Sequence, residues 1–220
     1  NEELLLGYDT KLLRRVWIRK VQPGTPPISA AQRNVARPGR LRWLQGHRAD
    51  DAAWDTYESV PGTPLASLLR TPQSWRTARH WLLDIAEELE ASSRDGSLPR
   101  ELALDRVWIS SDGRAKLLDF SAPGAEISGE PLVSSEPGAP NVFLNQVAMS
   151  TLEGNLVPWQ EARSRGAGVP VPLGARSFLR DMRSQLGPAA LTGQLKSLVR
   201  EVPAITRRRR LGIIAGCTIP

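Results

Sequence analysis

Polar and apolar residues alternate over residues 15–21 (Arg-Val-Trp-Ile-Arg-Lys-Val), a period of two that predicts a strand with Val16 and Ile18 on its buried face. A second strand is expected at residues 4–6, with Tyr8-Asp9-Thr10-Lys11 turning the chain into a hairpin. Prolines from Pro23 to Pro27 break the pattern, and Ser29 then offers an N-cap for a short helix over 29–36 that Pro38-Gly39 stops. Strands are expected again at 41–46 and 53–58. After Val60-Pro61-Gly62-Thr63-Pro64 the period changes. Ala78, Trp81, Leu82, Ile85, Ala86 and Leu89 recur at the spacing of an amphipathic helix, expected over 75–92 with Ser74 as its cap. Two short strands, 102–109 and 115–119, flank the turn Ser110-Ser111-Asp112-Gly113. Residues 121–140, rich in Gly, Pro, Ser and Glu, read as a loop, and helical patterns resume at 142–152, 175–185 and 189–199. The succession predicts an α+β chain, strand-rich to about residue 60 and mostly helical afterwards.

With 40% hydrophobic and 24% charged residues, the composition is that of a globular domain. The net charge of +6 comes from 29 Lys+Arg against 23 Asp+Glu. The arginines are dispersed rather than focused, which argues against nucleic acid as a partner, although a basic nucleic-acid-binding domain remains a third reading to test. A single Cys217 excludes an internal disulfide or Cys-cluster metal site, and His47 and His80 leave little for zinc, so a reducing compartment fits best. Seven tryptophans against three phenylalanines point first to core packing, with stacking on adenine or a base as the rarer use.

The ends carry an expectation of their own. The chain starts at Asn1 rather than Met and stops in an apolar run, so both ends look cut. Four consecutive arginines, 207–210, precede Leu-Gly-Ile-Ile-Ala-Gly-Cys-Thr-Ile, the way a membrane span begins on its cytoplasmic side. That run is shorter than the roughly 20 residues a span needs. The expectation is therefore a basic stop and the start of a transmembrane helix over 206–220, continuing past Pro220, with the preceding domain on the cytoplasmic face of the inner membrane.

Several segments resemble the bilobal protein-kinase fold. Asp112-Gly113-Arg114-Ala115-Lys116-Leu117-Leu118-Asp119-Phe120 is similar to the bacterial Ser/Thr kinase segment ending in Asp-Phe-Gly, with Ser121 in the third place. Tyr8-Asp9 through Val16-Trp17-Ile18-Arg19 resembles the family's second and third strands, where it reads Val-Ala-Ile-Lys. Tyr57-Glu58-Ser59-Val60 resembles the hinge that receives adenine, and 141–154 the helix ending in Leu-x-Gly. The resemblance implies a small lobe over 1–60 without a glycine-rich loop and a helical lobe over 61–205, both shortened.

Phosphoryl transfer works by positioning and charge neutralisation, so each kinase part has a definite residue to supply. The resemblance places Arg19 where the family has its phosphate-binding Lys, with Lys20 beside it on the opposite strand face, and Glu58 and Val60 at the nucleotide hinge. It places Glu101 at the catalytic Asp, Arg106 at the magnesium Asn and Asp119 at the remaining metal ligand. A guanidinium cannot ligate a cation and repels one. Asp105 is the one nearby acid that a one-residue shift would bring in. Asp119 is then expected to pair with Arg106 or Arg19 in place of magnesium. The resulting expectation is a pseudokinase in a bacterial membrane signalling protein, acting on protein partners and needing no cofactor. The alternative is a divergent Ser/Thr kinase using ATP and Mg2+ through Glu101 and Asp119.

Overall fold

A computed structural model of the chain describes residues 3–125, 130–184 and 186–200. The basic run 207–210 and the apolar residues after it, together with Cys217, lie outside the described residues, as does part of the acidic loop beginning at Glu126. Among the described residues no helix is long and apolar enough to cross a membrane.

The expected hairpin forms from β1 (Leu4–Asp9) and β2 (Arg14–Val21), in a register that sets Leu6 opposite Trp17. Its turn is held by the Asp9 carboxylate, which accepts the backbone N–H groups of Lys11 and Leu12 at 3.0 and 3.1 Å. The short helix α1 (Ala30–Arg33) starts where Ser29 predicts, with Ser29 and Gln32 closing a reciprocal capping box, but Asn34 ends it earlier than expected. The chain then forms β3 (Trp43–Arg48) and β4 (Ala53–Glu58), and β4 returns to pair with β2. The sheet order is β1-β2-β4-β3, antiparallel throughout, with Trp17 opposite Tyr57 on one face.

From residue 62 the chain is mainly helical. Strand β5 (Gly62–Pro64) leads into α2 (Leu65–Leu68), and α3 (Trp75–Asp95) follows, capped by Ser74 and closed by Gly96 in the left-handed conformation. Its apolar stripe is buried as the periodicity predicts, yet Asp84 and Glu88 are buried on it too. Residues 102–109 are not one strand: β6 (Glu101–Leu102) ends in a tight 3-10 turn at Leu104–Arg106 before β7 (Val107–Ser110) begins. β7 pairs with β5 and β8 (Ala115–Leu117), while β6 pairs with β9 (Leu132–Val133). The expected loop 121–140 thus contains a strand.

Helix α4 (Ala139–Glu153) has almost no solvent face. Its Asn145 and Gln146 are buried and donate their amide N–H groups to the carbonyls of Ala162 and Val157, while their amide oxygens are buried without a hydrogen-bond donor among the described residues. Helices α5 (Trp159–Ser164), α6 (Leu173–Asp181) and α7 (Pro188–Arg200) complete the body, and α7 lies along α3. The molecule is a mixed α+β structure, with a small antiparallel sheet in its N-terminal part and a helical C-terminal part.

Candidate functional site

The residues that the sequence singles out converge where the sheet meets β7 and β8. The centre is Asp119, two positions past β8. Its carboxylate accepts from Arg40 Nη2 at 2.5 Å and from Gln32 Nε2 at 3.4 Å. The Arg40 side chain is only 1% exposed, so the contact is a desolvated ion pair rather than a surface one. Arg40 Nη1 lies 3.6 Å from Glu88 Oε1 on α3 and donates to the Ser97 carbonyl at 3.3 Å. Glu88 is held in turn by Arg37, at 2.8 and 3.0 Å, and Arg37 also pairs with Asp95. These bonds hold the Arg37 guanidinium well above its ordinary value and keep it charged, against the opposing effect of burial.

Local structure explains how Arg40 reaches this place. Residues 37–40 lie flat on α3 because Gly39 has no side chain: a Cβ there would sit 2.8 Å from Glu88 Cβ. The Gly39 carbonyl accepts from Leu117 N at 2.8 Å, and Lys116 Nζ donates to the Pro38 carbonyl at 2.6 Å. The segment is therefore strapped to β8 immediately before Asp119.

Above this network the rings of Trp17, Tyr57, Trp108 and Phe120 fill the junction. Trp17 meets Trp108 edge-on at 5.1 Å between centroids and Phe120 at 6.4 Å, and Tyr57 lies 5.0 Å from Phe120. All four are buried. Arg19 extends over the Phe120 ring, its Cζ 5.8 Å from the centroid. Burial pushes the Tyr57 phenol far above its ordinary value, helped by the negative charges of Asp119 and Asp55, while Arg19 pulls the other way.

The remaining residues divide cleanly. Lys20 points away, as strand alternation predicts, and pairs with Glu3 at 2.9 Å. Glu58 accepts the Arg42 backbone N–H at 3.0 Å, and Val60 packs against the aromatic cluster. Arg106 does not pair with the Asp119 carboxylate, contrary to expectation; it binds the Glu101 carboxylate and donates to the Asp119 carbonyl at 3.1 Å. Asp105 accepts from Ser121 Oγ at 2.7 Å, and its carbonyl takes the Ala122 N–H at 2.7 Å, so it braces the chain after Phe120.

Arg40 is the residue that the sequence did not reveal. One signal pointed toward its network: Glu88 sits within the apolar stripe of α3, and a charge there requires a buried partner. Asp84 obeys the same logic, accepting from Arg114 Nε at 2.9 Å and from Ala115 N at 2.9 Å.

A donor set of this kind does not fit a divalent cation. A magnesium ion needs several oxygen ligands, and the Asp119 carboxylate is in contact with a guanidinium while a second guanidinium binds its carbonyl. Among the described residues no cluster of three or more His, Cys, Asp or Glu is arranged to hold a metal. No protein-family model matches the chain, and no curated protein is significantly similar to it in sequence.

Proposed function

We propose that the chain is a kinase-like domain that has lost phosphoryl transfer and acts by binding protein partners, as the cytoplasmic part of a bacterial membrane signalling protein. The observation that carries this reading is the Arg40–Asp119 pair, in which a buried cation belonging to the protein stands against the one carboxylate that would otherwise take metal. Trp17 supports it. The residue stands where the family has Ala, and its indole lies against Trp108 and Phe120 in the space between sheet and hairpin that the adenine of a nucleotide would need. Neither Arg19 nor Arg106 supplies what the Lys and Asn of a kinase do.

A second reading, a divergent kinase working through Glu101 and Asp119, is favoured by one contact: Arg106 joins the Glu101 carboxylate to the Asp119 backbone and so holds the two candidate acids close together.

Thermal unfolding of the chain with and without millimolar ATP, each with and without magnesium, separates the two. A ligand that binds the native state must raise the melting temperature. The pseudokinase reading predicts no shift under any condition. A shift that needs ATP and magnesium together, and that Asp119→Asn abolishes, would establish the kinase reading instead.

A further inference from the structure

Away from this junction, α6 presents a second constellation. Ala175, Phe178, Leu179 and Met182 bury one side of the helix and its end. Arg176, Arg180 and Arg183, at i, i+4 and i+7, form the adjacent exposed stripe. All three line a cleft of about 410 Å³, the size of a small-ligand or short-peptide site. The opposite wall is residues 166–171. There Ala167, Val169 and Val171 line the cleft while also packing against the core, and Gly166, Gly168 and Pro170 likewise bring no charge to it. Arg183 Nη2 lies 3.8 Å from where a Cβ on Gly166 would sit, so the walls approach closely.

Among the described residues no carboxylate lines this cleft. The guanidinium groups of Arg176 and Arg183 have no ion-pair or hydrogen-bond partner among the described residues, and that of Arg180 reaches only its neighbour Asp181, at 3.7 Å. The two glutamates that approach the segment are already engaged: Arg165 holds Glu153 and Glu161, and Glu153 also accepts from Gly168 N at 2.8 Å. Two guanidinium groups without a partner among the described residues, beside a third that has only the adjacent Asp181, give this wall a net positive charge that attracts an anion. Over seven residues the stripe spans about 10 Å, too long for one phosphate but within arginine reach of acidic side chains about 6.6 Å apart on alternate residues of an extended chain.

We propose that the cleft between α6 and residues 166–171 is a docking site for an extended acidic segment of a partner protein. The proposal stands on this cleft alone and holds whether or not the other junction takes nucleotide.

The test is fluorescence anisotropy of the 220-residue chain with a fluorescein-labelled octapeptide of alternating Glu and Ala, at physiological ionic strength. A Gln–Ala octapeptide serves as control. Saturable binding of the acidic peptide alone is expected, weakened at least about tenfold by Arg176→Gln/Arg180→Gln/Arg183→Gln and also by Gly166→Asp, which sets a carboxylate beside Arg183. A second triple variant, Arg33→Gln/Arg76→Gln/Arg94→Gln, removes the same charge from exposed positions elsewhere and should leave binding unchanged. The proposal is overturned by an absence of saturable binding to the unmodified chain, or by equal weakening in both triple variants. A preference for a DNA 20-mer or for phosphatidylglycerol vesicles over the acidic peptide overturns it as well.

Discussion

Arg40 is the most consequential single residue in the fold. It is buried between two carboxylates from distant parts of the chain, Glu88 and Asp119. Removing one partner of a buried charge network leaves the others desolvated and uncompensated, a loss of about 3–5 kcal/mol. Arg40→Met should therefore cost close to that in urea unfolding, although the volume is nearly retained. Adding Asp119→Asn should recover part of the loss, since the neutral amide no longer needs a cation. A double-mutant cycle measures this coupling directly.

Tyr57 gives a residue-scale pH dependence. Its folded-state value is raised above the ordinary 10.0 by burial and by Asp119 and Asp55. The folded chain holds this proton where the unfolded chain releases it, so the stabilisation is complete below about pH 10 and is lost as the pH rises further. Urea unfolding of the parent chain should weaken more steeply above about pH 10 than that of Tyr57→Phe. Of the residues in this network, Asp119, Arg19 and Glu101 were singled out in the sequence through its resemblance to kinase segments. Arg40 was not, because an arginine after Pro-Gly carries no mark of what it faces 79 positions later.

At the scale of elements, local chemistry set the starts and stops well. Ser29 and Ser74 cap the helices they were expected to cap, and Gly96 and Gly154 end α3 and α4 in the left-handed conformation. The last two differ in one respect. Gly96 has open space around it, whereas a Cβ on Gly154 would sit 2.3 Å from Pro72 N. Gly96→Ala should cost about 1 kcal/mol for the left-handed backbone alone. Gly154→Ala should cost clearly more, because either the chain at Thr71-Pro72 or the end of α4 must shift. Thermal melts of the two variants compare them. The errors at this scale have one origin. The strand expected over 102–109 is broken because the chain must place Asp105 toward Ser121 and Arg106 toward Glu101, and β9 was missed because its two residues are a strand only through pairing with β6.

For the whole molecule, the question is how the sheet is coupled to the helical part. The contacts that join them include the rings of Trp17 and Tyr57 against Trp108 and Phe120, the ion pairs of Arg37 and Arg40 with Glu88 and Asp119, and the hydrogen bonds that strap residues 38–39 to β8. Trp17 supplies much of the ring packing, and truncating a buried Trp costs about 3–5 kcal/mol. A four-stranded sheet with a half-exposed hairpin has little core of its own. Trp17→Ala is therefore expected to split a single unfolding transition into two, the sheet melting first, with near-ultraviolet circular dichroism changing before the helical signal. One coincident transition in the variant would show that the contacts other than Trp17 are enough to keep the parts cooperative.

The amino-acid sequence by itself determined the α+β order, the buried stripe of α3, the caps at Ser29 and Ser74 and the turn at Ser110–Gly113, because these follow from periodicity and from what single residues do to their own backbone; for β2 it pointed to Val16 and Ile18, whereas Trp17 on the opposite face enters the core. Only the tertiary structure decided that Asp119 faces Arg40 rather than Arg106, that Trp17 packs against Trp108, and that Arg176, Arg180 and Arg183 share a cleft that no carboxylate lines among the described residues. The physical reason is range. Backbone preference is set within a few residues, whereas the partner of a buried charge is set by packing across the whole fold, and no local pattern records it.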